Sequence, residues 1–397
     1  MSRLTCRSPD GEPVYGDVDF VFTREGEAVY SIEVQLEDDG GVTIPSYGGL
    51  APTIATVMPR DRHWSAIVPI QKGDNRQQLV PFEMPKQGLW WRRLVGRRAM
   101  QPRAGAGMRV GVVDLGFKAE GSLGHVDRYD IEGRRLRAGF GPASSHGLRI
   151  CKIIAERGAS LEREGIARAA DIVLVDVADD DSPAVIDSDK VAPAVELLAD
   201  EFGVDLINIS AGAYVSRDDA NVREVLLKSI RYARSTGALT IAAAGNRPED
   251  PAMPARFEEV VAVGSVGLWG VAPPATLMDF YGDLALAEGL VGTSSLGKVF
   301  HDIDSCYGKD LDVVGPGIGV TLCYDDGIIM DYRGTSYAAP VVCGVLACRL
   351  ASSEDYAALK GAERADFAQS VLEDMCQETG LPELRQGHGL PILPVSN

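Results

Sequence analysis

Residues 333–344 of this chain read RGTSYAAPVVCG, and an apolar segment rich in Ala, Val and Leu continues from them to Leu350. A Gly-Thr-Ser run directly before such a segment places the hydroxyl of Ser336 at the start of a helix, where unpaired backbone N–H groups and the helix dipole favour negative charge. That position suits a nucleophile whose attack on a carbonyl creates an oxyanion. Taken alone, the segment favours a serine that merely caps a core helix, because Ser is a common N-cap residue. The other motifs of the chain reverse this interpretation.

The composition is typical of a globular protein that is large enough for more than one domain. The chain has 397 residues, of which 45% are apolar and 24% are charged, and this length allows two or three domains or one large domain with an appendage. It contains no apolar run of about 18 residues, so we expect no membrane span. The first residues lack the apolar core of a signal peptide, and we therefore expect a cytoplasmic protein. The seven cysteines are an odd number and suit buried free thiols better than a disulfide framework.

The net charge of −18 lies in one part of the chain. Residues 1–105 hold 13 basic and 13 acidic residues, so the remaining residues carry the whole excess. A surface of this sign repels nucleic acid and anionic lipid, and we expect neither as a partner. The simpler interpretation, an acidic surface that aids solubility, is the one that we favour.

Residues 1–85 predict a small β-rich domain. Apolar or alternating runs at Val18–Phe22, Val29–Leu36 and Val42–Ile44 are separated by Gly/Asp turns, and short strands at this spacing are typical of a sandwich. We find no catalytic pattern in this part of the chain. Residues 86–107 then form a basic linker, which we interpret as a solvated connector with two packed tryptophans rather than as a processing site or a tether.

Residues 108–397 predict an α/β domain. Continuous Val/Ile/Leu strands alternate with helical segments, which indicates a parallel sheet covered by helices on both faces. In such sheets functional sites gather at the carboxyl ends of the strands. The predicted strands are 109–113, 171–177, 204–209, 239–244 and 260–263, and the predicted helices are 147–155, 191–201 and 222–236.

Three polar residues at the ends of these elements suit catalysis together with Ser336. Asp114 ends the first strand in VVDLG, His146 opens a helix in SSHGLRI, and Asn246 follows a strand in AAAGN. An aspartate can orient and polarise an imidazole, and an amide can donate to an oxyanion. Each motif alone is weak, because Asp and Asn are common turn residues and a lone His is more often structural.

In the order Asp114, His146, Asn246 and Ser336, these motifs resemble those of the subtilisin-like serine proteases, or subtilases. The runs Asp-Leu-Gly, His-Gly, Ala-Ala-Gly-Asn and Gly-Thr-Ser-Tyr-Ala-Ala-Pro correspond to the family's aspartate, histidine, oxyanion-hole and nucleophile motifs. The resemblance covers about residues 108–393. It implies a subtilisin-like parallel sheet flanked by helices, preceded here by the β-rich, sandwich-like domain, and it implies a serine endopeptidase.

The resemblance also implies a role for each residue. Ser336 would attack the scissile carbonyl, His146 would accept and return the proton, and Asp114 would fix the imidazole. The side chain of Asn246 and the backbone N–H of Ser336 would hold the tetrahedral oxyanion, and no metal or organic cofactor is implied. Small residues would line the first specificity pocket, which leaves room for an apolar side chain. These residues are Ser210, Ala211, Gly212, Ala243, Ala244 and Gly245.

The chain departs from the family pattern at several positions. Leu115 replaces a hydroxyl residue after the aspartate, Arg149 replaces the second histidine of the histidine motif, and Lys152 stands where a small residue is usual. These departures leave open the alternative of a catalytically impaired, peptide-binding module. Residues 268–304 exceed the length that a minimal subtilase needs, and we expect them to form a loop near the cleft.

Two alternatives concern partners and ions. Residues 1–105 are either a removable pro-domain or a permanent domain that docks a partner, and we favour the permanent domain because propeptides of the family are α+β. A protease inside the cell predicts restricted cleavage of a peptide or protein substrate. The acidic loop with Asp176, Asp179, Asp180 and Asp181 admits a structural Ca²⁺, but no clear motif supports one, and we favour a solvated loop.

Overall fold

The computed structural model describes residues 2–24, 27–83, 87–97, 99–118, 121–137, 139, 141, 145–211 and 220–394. Within its N-terminal part, two small sheets share one core, a three-stranded sheet in the order Gly41–Thr43, Arg3–Arg7, Asn75–Gln78 and a four-stranded sheet in the order Glu27–Gln35, Gly16–Arg24, Ile54–Pro59, Ala66–Pro69. Leu4, Phe20, Phe22 and Val57 are buried in that core, so the β-rich, sandwich-like domain is confirmed. The strands are β1 (Arg3–Arg7), β2 (Gly16–Arg24), β3 (Glu27–Gln35), β4 (Gly41–Thr43), β5 (Ile54–Pro59), β6 (Ala66–Pro69) and β7 (Asn75–Gln78).

The basic segment that follows is packed rather than solvated. Helix α1 (Trp90–Leu94) buries both tryptophans, and the indole Nε1 of Trp90 donates to the carbonyl of Gly319 at 2.8 Å. Arg92 and Arg97 are also buried, with nitrogens 3.4 and 3.5 Å from the carboxylate of Glu164. The predicted packing of the two tryptophans is confirmed, whereas the prediction of a solvated connector is wrong for Arg92 and Arg97, because an acidic residue far along the chain neutralises them. The division of the chain at residues 85 and 107 stays a prediction.

The central sheet of the second domain is mostly parallel. Within the described residues it runs β14-β15-β13-β12-β11-β8-β10-β9, and β16 pairs with β13 in parallel. The strands from this point on are β8 (Arg109–Asp114), β9 (Asp127–Tyr129), β10 (Asp171–Asp176), β11 (Leu206–Ile209), β12 (Leu239–Ala243), β13 (Val260–Leu268), β14 (Val291–Ser294), β15 (Gly297–His301), β16 (Val313–Pro316), β17 (Ile318–Cys323), β18 (Ile329–Arg333), β19 (Cys376–Gln377) and β20 (Leu390–Pro391).

Helices cover this sheet, so β11 and β12 are buried along their whole length. Helix α2 packs on α6, α3 packs on α4, and both pairs contact the sheet. The helices are α2 (His146–Ala155), α3 (Ser188–Asp200), α4 (Ala220–Thr236), α5 (Leu277–Ala287), α6 (Thr335–Leu350), α7 (Glu354–Ala358), α8 (Gly361–Asp374) and α9 (Glu383–Gln386). The predicted α/β fold with a helix-flanked parallel sheet is confirmed.

Residues 268–304 form regular structure where a loop was expected. They contain helix α5 and the antiparallel pair β14–β15, which extends the sheet beyond β13. Thr276 caps α5, since its hydroxyl accepts from the N–H of Asp279 at 3.3 Å. The backbone N–H of Leu277 donates to the carbonyl of Ser65 at 2.6 Å, so the added segment joins the two domains.

Candidate active site

The parallel register gathers the predicted site residues at one edge of the sheet. Asp114 is the last residue of β8 and lies opposite Asp176 at the end of β10. Ser210 directly follows β11, and Asn246 follows β12 by a few residues. Because the carboxyl ends of parallel strands meet at one edge, these residues share a site with the first turns of α2 and α6.

Asp114 and His146 form the best-defined contact of this edge. The imidazole Nδ1 of His146 lies 2.9 Å from each carboxylate oxygen of Asp114, which is fully buried. A carboxylate only accepts hydrogen bonds, so Nδ1 carries a proton, and in the neutral imidazole Nε2 is then the acceptor. The backbone N–H of Leu115 donates to Asp114 Oδ1 at 2.7 Å and holds the carboxylate in place.

Local structure explains why the histidine begins its helix with Ser145 before it and glycine after it. The hydroxyl of Ser145 accepts from the backbone N–H of Leu148 at 3.2 Å, which is an N-cap bond. A Cβ on Gly147 would overlap the carbonyl of Leu115 at the end of β8. Glycine at this position therefore lets α2 approach the aspartate strand closely enough for the imidazole contact.

Ser336 lies in the first turn of α6 and exchanges hydrogen bonds with Ser210. Its Oγ donates to the carbonyl of Ser210 at 2.8 Å, and the Ser210 hydroxyl donates to the carbonyl of Ser336 at 2.9 Å. Pro340 has no N–H, so it leaves that carbonyl without its usual helical donor. Among the described residues, no hydrogen bond joins Ser336 Oγ to His146. The serine hydroxyl must therefore turn away from Ser210 before the imidazole can take its proton.

Asn246 is oriented by the residue that precedes the serine. Its Oδ1 accepts from the backbone N–H of Thr335 at 2.9 Å and from the Thr335 hydroxyl at 3.0 Å. The same hydroxyl accepts from the N–H of Gly245 at 3.1 Å. Gly334 has a φ of 130°, and a Cβ there would lie 3.2 Å from Asn246 Nδ2. The donor end of the amide is thus held against the backbone that leads into Ser336.

Arg149 belongs to an aromatic cluster beside the imidazole that the sequence did not predict. Its guanidinium lies 4.7 Å from the ring centroid of Tyr332 and 3.2 Å from the hydroxyl of Tyr337. The ring of Tyr337 lies 5.8 Å from that of His146. Burial raises the pKa of the Tyr324, Tyr332 and Tyr337 phenols, so these rings are neutral at physiological pH. The replacement of the family's second histidine by Arg149 was the available signal.

Lys152, the other unusual residue of α2, has a structural partner. Its Nζ lies 2.5 Å from Glu156 Oε1, one turn further along the helix, and both side chains are buried. The ammonium also lies 5.3 Å from the ring centroid of Tyr324. Burial lowers the pKa of Lys152, and Glu156 opposes this effect. The residue therefore completes a buried ion pair and takes no part in the Asp114–His146 contact.

A largely apolar cavity of about 410 Å³ adjoins the imidazole, and Ser210 and Ala211 belong to its wall. Gly212, predicted with them, lies outside the described residues. Ala243, Ala244 and Gly245 are buried next to this edge but do not line the cavity. Most of the apolar wall was not predictable from the sequence, because its residues come from separate elements: Leu115, Ile186, Val191, Val222, Leu226 and Met253.

Carboxylates at the end of β10 and in the acidic loop after it already have partners in the protein. Asp176 Oδ1 accepts from the backbone N–H groups of Gly116 and Ala178 at 2.9 and 3.0 Å. Asp180 pairs with Lys190 at 2.6 Å. In the part of the chain that the structure describes, no group of three or more His, Cys, Asp or Glu side chains could hold a metal ion. None of the described helices combines the length and apolar character that crossing a bilayer requires.

The sequence of this chain matches a known protein family. Residues 105–389 match the model of the subtilase family. Mycosin-4 of Mycobacterium tuberculosis is 30% identical over 271 residues, which are 61% of this chain and 55% of mycosin-4. Subtilisin DY of Bacillus licheniformis is 22% identical over 307 residues, which are 75% of this chain and 94% of subtilisin DY. The chain thus spans about half the length of mycosin-4 and nearly all of subtilisin DY.

Solved structures share the same fold. A lanthipeptide protease superposes with a TM-score of 0.56 at 20% identity and covers 78% of this chain and 93% of its own. A cold-adapted subtilisin-like serine proteinase superposes with a TM-score of 0.53 at 20% identity. This superposition covers 77% of this chain and 97% of the proteinase. The match to the family model extends over well more than half of the residues. The chain therefore belongs to the subtilase family of serine peptidases.

Proposed function

We propose that this chain is a serine endopeptidase that cleaves peptide bonds through Asp114, His146 and Ser336, with Asn246 assisting at the oxyanion. The observation that carries the proposal is the placement of His146 Nδ1 2.9 Å from both oxygens of the buried Asp114 carboxylate. In the neutral imidazole this contact puts the proton on Nδ1, so Nε2 has the lone pair that a general base requires.

In the first step the hydroxyl of Ser336 leaves the carbonyl of Ser210 and turns toward His146. Nε2 takes the hydroxyl proton while Oγ attacks the scissile carbonyl, and Asp114 stabilises the imidazolium that forms. The imidazolium then returns the proton to the leaving amine, and water repeats the sequence on the acyl-enzyme.

The negative oxygen of the tetrahedral intermediate needs donors that are already in place. In the described part of the chain no acceptor pairs with the backbone N–H of Ser336 at the start of α6, and the dipole of that helix favours negative charge. Asn246 Nδ2 is the second donor, since Thr335 fixes the opposite end of the amide. Removal of one such donor typically lowers turnover by about 100- to 1000-fold.

We also propose that cleavage takes place inside the cell and is restricted to a peptide or protein that fits between the walls of this site. Residues of the N-terminal sheet form a wall of the cleft beside the nucleophile, which supports selective cleavage over bulk degradation. We expect unfolded casein to be cleaved slowly. Rapid degradation of casein would contradict this part of the proposal.

We also propose that residues 1–105 are a permanent part of the enzyme and no removable pro-domain. Trp64, Trp90 and Trp91 pack into the core of the peptidase domain, and Arg97 in the basic segment is fully buried. Cleavage there would strip a large apolar contact from the core. The N-terminal sequence of the purified active protein tests this, and a sequence that begins between residues 98 and 105 would contradict it.

The experiment that tests the activity is intact-mass spectrometry after exposure to a fluorophosphonate. We expect a single adduct on the wild type, none on Ser336→Ala, and much slower labelling of Asp114→Asn, which keeps the shape of the side chain but loses its charge. An adduct that survives Ser336→Ala, or none on the folded wild type, contradicts the proposed mechanism.

The second candidate function is a peptide-binding module without turnover. The hydrogen bond from Ser336 Oγ to the Ser210 carbonyl favours it, since this bond holds the hydroxyl away from the imidazole. Such a module would bind peptides equally well as wild type and as Ser336→Ala, and neither form would give an adduct. The labelling experiment thus separates the two functions.

A further inference from the structure

A cleft of about 740 Å³ lies between the N-terminal domain and the peptidase domain, beside the nucleophile. Thr56 and Met58 of the four-stranded sheet belong to one wall, and Asn246, Gly334 and Tyr337 belong to the other. The cavity that contains Ser210 and Ala211 shares no lining residue with this cleft within the described residues. The site around Ser336 therefore has two separate cavities.

The N-terminal sheet turns its polar face to this cleft. Val18 and Phe20 of β2 are fully buried in the domain's own core, so the alternate residue Asp17 lies on the opposite face. Met58 is the register partner of Asp17 on the neighbouring strand, and Glu33 of β3 also lines the cleft. The face that the domain leaves uncovered by its own core thus becomes a wall of the active site.

Hydrogen bonds between the domains hold this wall in position. Ser65 donates its N–H and its hydroxyl to Asp331 at 2.9 and 2.7 Å, and its carbonyl accepts from Leu277 at the start of α5 at 2.6 Å. The Nε of Arg62 donates to the carbonyl of Gly327 at 3.0 Å. The wall and the nucleophile helix therefore belong to one packed unit.

The position of the cleft indicates which part of a substrate enters it. A polypeptide is cut where it passes Ser336, so the residues before and after the cleaved bond lie on opposite sides of the serine. Ser210 and Ala211 belong to the predicted first specificity pocket, which binds the acyl side of the cleaved bond, so we assign their cavity to that side. The cleft at Gly334 and Tyr337 is then the path of the leaving segment.

The lining of the cleft is acidic, with more carboxylates than guanidinium groups. Its acidic residues are Asp17, Glu33, Asp302, Asp304, Asp326 and Asp331, and its basic residues are Arg60, Arg149 and Arg333.

Partners within the protein already engage each of the three arginines. Arg60 pairs with Asp17 at 2.6 Å, and Arg149 lies in the tyrosine cluster. Arg333 contacts Asp302 and Asp304, and its guanidinium lies 3.4 Å from the ring centroid of Tyr281. The cleft therefore offers little cationic charge to a substrate.

Two of the carboxylates remain for a substrate. Glu33 and Asp326 are exposed, and no basic side chain in the described part of the chain pairs with either. We propose that the cleft binds the leaving segment of the substrate and that Glu33 and Asp326 favour Lys or Arg within it. This inference rests on the proposed function, because it names the substrate class of the same active site. The N-terminal domain is then a specificity element of the peptidase.

The test uses the full chain and short peptides of random sequence, with cleavage sites read by mass spectrometry. We expect Lys and Arg to be enriched after the cleaved bond. A matched pair of peptides with one acyl-side sequence and either Lys or Glu after the bond should then differ about three- to tenfold in kcat/KM. Raising the ionic strength should reduce that ratio, since salt screens exposed charges.

The variant Glu33→Gln/Asp326→Asn should bring the Lys-to-Glu ratio close to one and leave cleavage of a peptide with neutral residues there unchanged. Glu258→Gln is the matched control, because Glu258 is exposed just before β13, at the opposite edge of the sheet. The Lys-to-Glu ratio of this control variant should equal that of the wild type. A ratio that stays the same in the double variant, while Ser336 still forms its fluorophosphonate adduct, overturns this inference alone. Loss of the adduct in the wild type overturns the proposed function and this inference with it.

Discussion

Ser65 donates both its backbone N–H and its hydroxyl to the same carboxylate oxygen of Asp331, at 2.9 and 2.7 Å. Both side chains are buried. Asp331 lies on β18, which ends at Arg333, directly before the turn into the helix of Ser336. The N-terminal domain is therefore bonded to the strand that leads into the nucleophile.

We expect Ser65→Ala to lower the free energy of unfolding by about 1 to 3 kcal/mol, because a buried carboxylate loses a donor. Hydrogen exchange of the β18 amides should also become faster, since the strand loses an anchor. Ser31→Ala is the matched control, as Ser31 is exposed on β3 of the same domain. Equal stability of the two variants would show that the domains are not coupled through this contact.

Thr335 is a positioning residue for the oxyanion donor. Thr335→Val keeps the size of the buried side chain but removes the hydroxyl that bonds Asn246 Oδ1, so the amide loses one of its two anchors. We expect kcat to fall by about 10- to 100-fold with little change in KM, because the interaction acts in the transition state. Thr335→Ser retains the hydroxyl and should restore most of kcat. A rise in KM alone would contradict the positioning role.

The buried pair of Lys152 and Glu156 predicts an effect on stability rather than on chemistry. Lys152→Met removes the nearest cation of the buried Glu156 carboxylate, which keeps Arg163 at 3.5 Å, and should destabilise the protein by about 1 to 3 kcal/mol. Lys152→Met/Glu156→Gln removes both charges and should recover much of this loss. Denaturant unfolding measures both variants. The idea fails if the single variant is as stable as the wild type, or if the double variant is less stable than the single one.

The central sheet was predictable because its signals are local. The expected strand 109–113 is β8 (Arg109–Asp114), and the expected helix 147–155 is α2 (His146–Ala155). Runs of buried apolar residues and a hydroxyl cap show such elements without any knowledge of the partner segments. Since parallel strands end at one edge, the position of Asp114, His146 and Ser336 in one site followed from the same pattern. Their catalytic roles stay predictions.

The remaining features depend on partners that are distant in the sequence. Arg92 lies 72 positions from Glu164, so composition alone indicated solvated arginines where the structure buries Arg92 and Arg97. The cleft beside Ser336 needs the N-terminal sheet, α5 and β18 to meet, and no single segment carries that signal. Strand β7, with the sequence NRQQ, has no apolar pattern and forms a strand through its pairing with β1.

The buried histidine at the end of β15 predicts how stability depends on pH. Burial lowers the pKa of His301 to about 3, and the charge of Arg385 adds to the effect. The unfolded chain has the ordinary value of about 6.5, so below that pH the unfolded state binds a proton that the folded state does not. The contribution of neutral His301 to the free energy of unfolding is therefore fully present above about pH 6.5. It is lost as the pH falls toward about 3, by about 1.4 kcal/mol per pH unit.

His301→Phe removes the titrating group while it fills the buried space. Relative to the variant, we therefore expect the wild type to lose about 2 to 3 kcal/mol of unfolding free energy between pH 6.5 and 4.5. Between pH 7.5 and 8.5 the difference between the two proteins should stay constant, because His301 is neutral in both states, and this range is the control. Denaturant unfolding at each pH measures the difference, and parallel curves over the whole acidic range would show that His301 does not carry the effect.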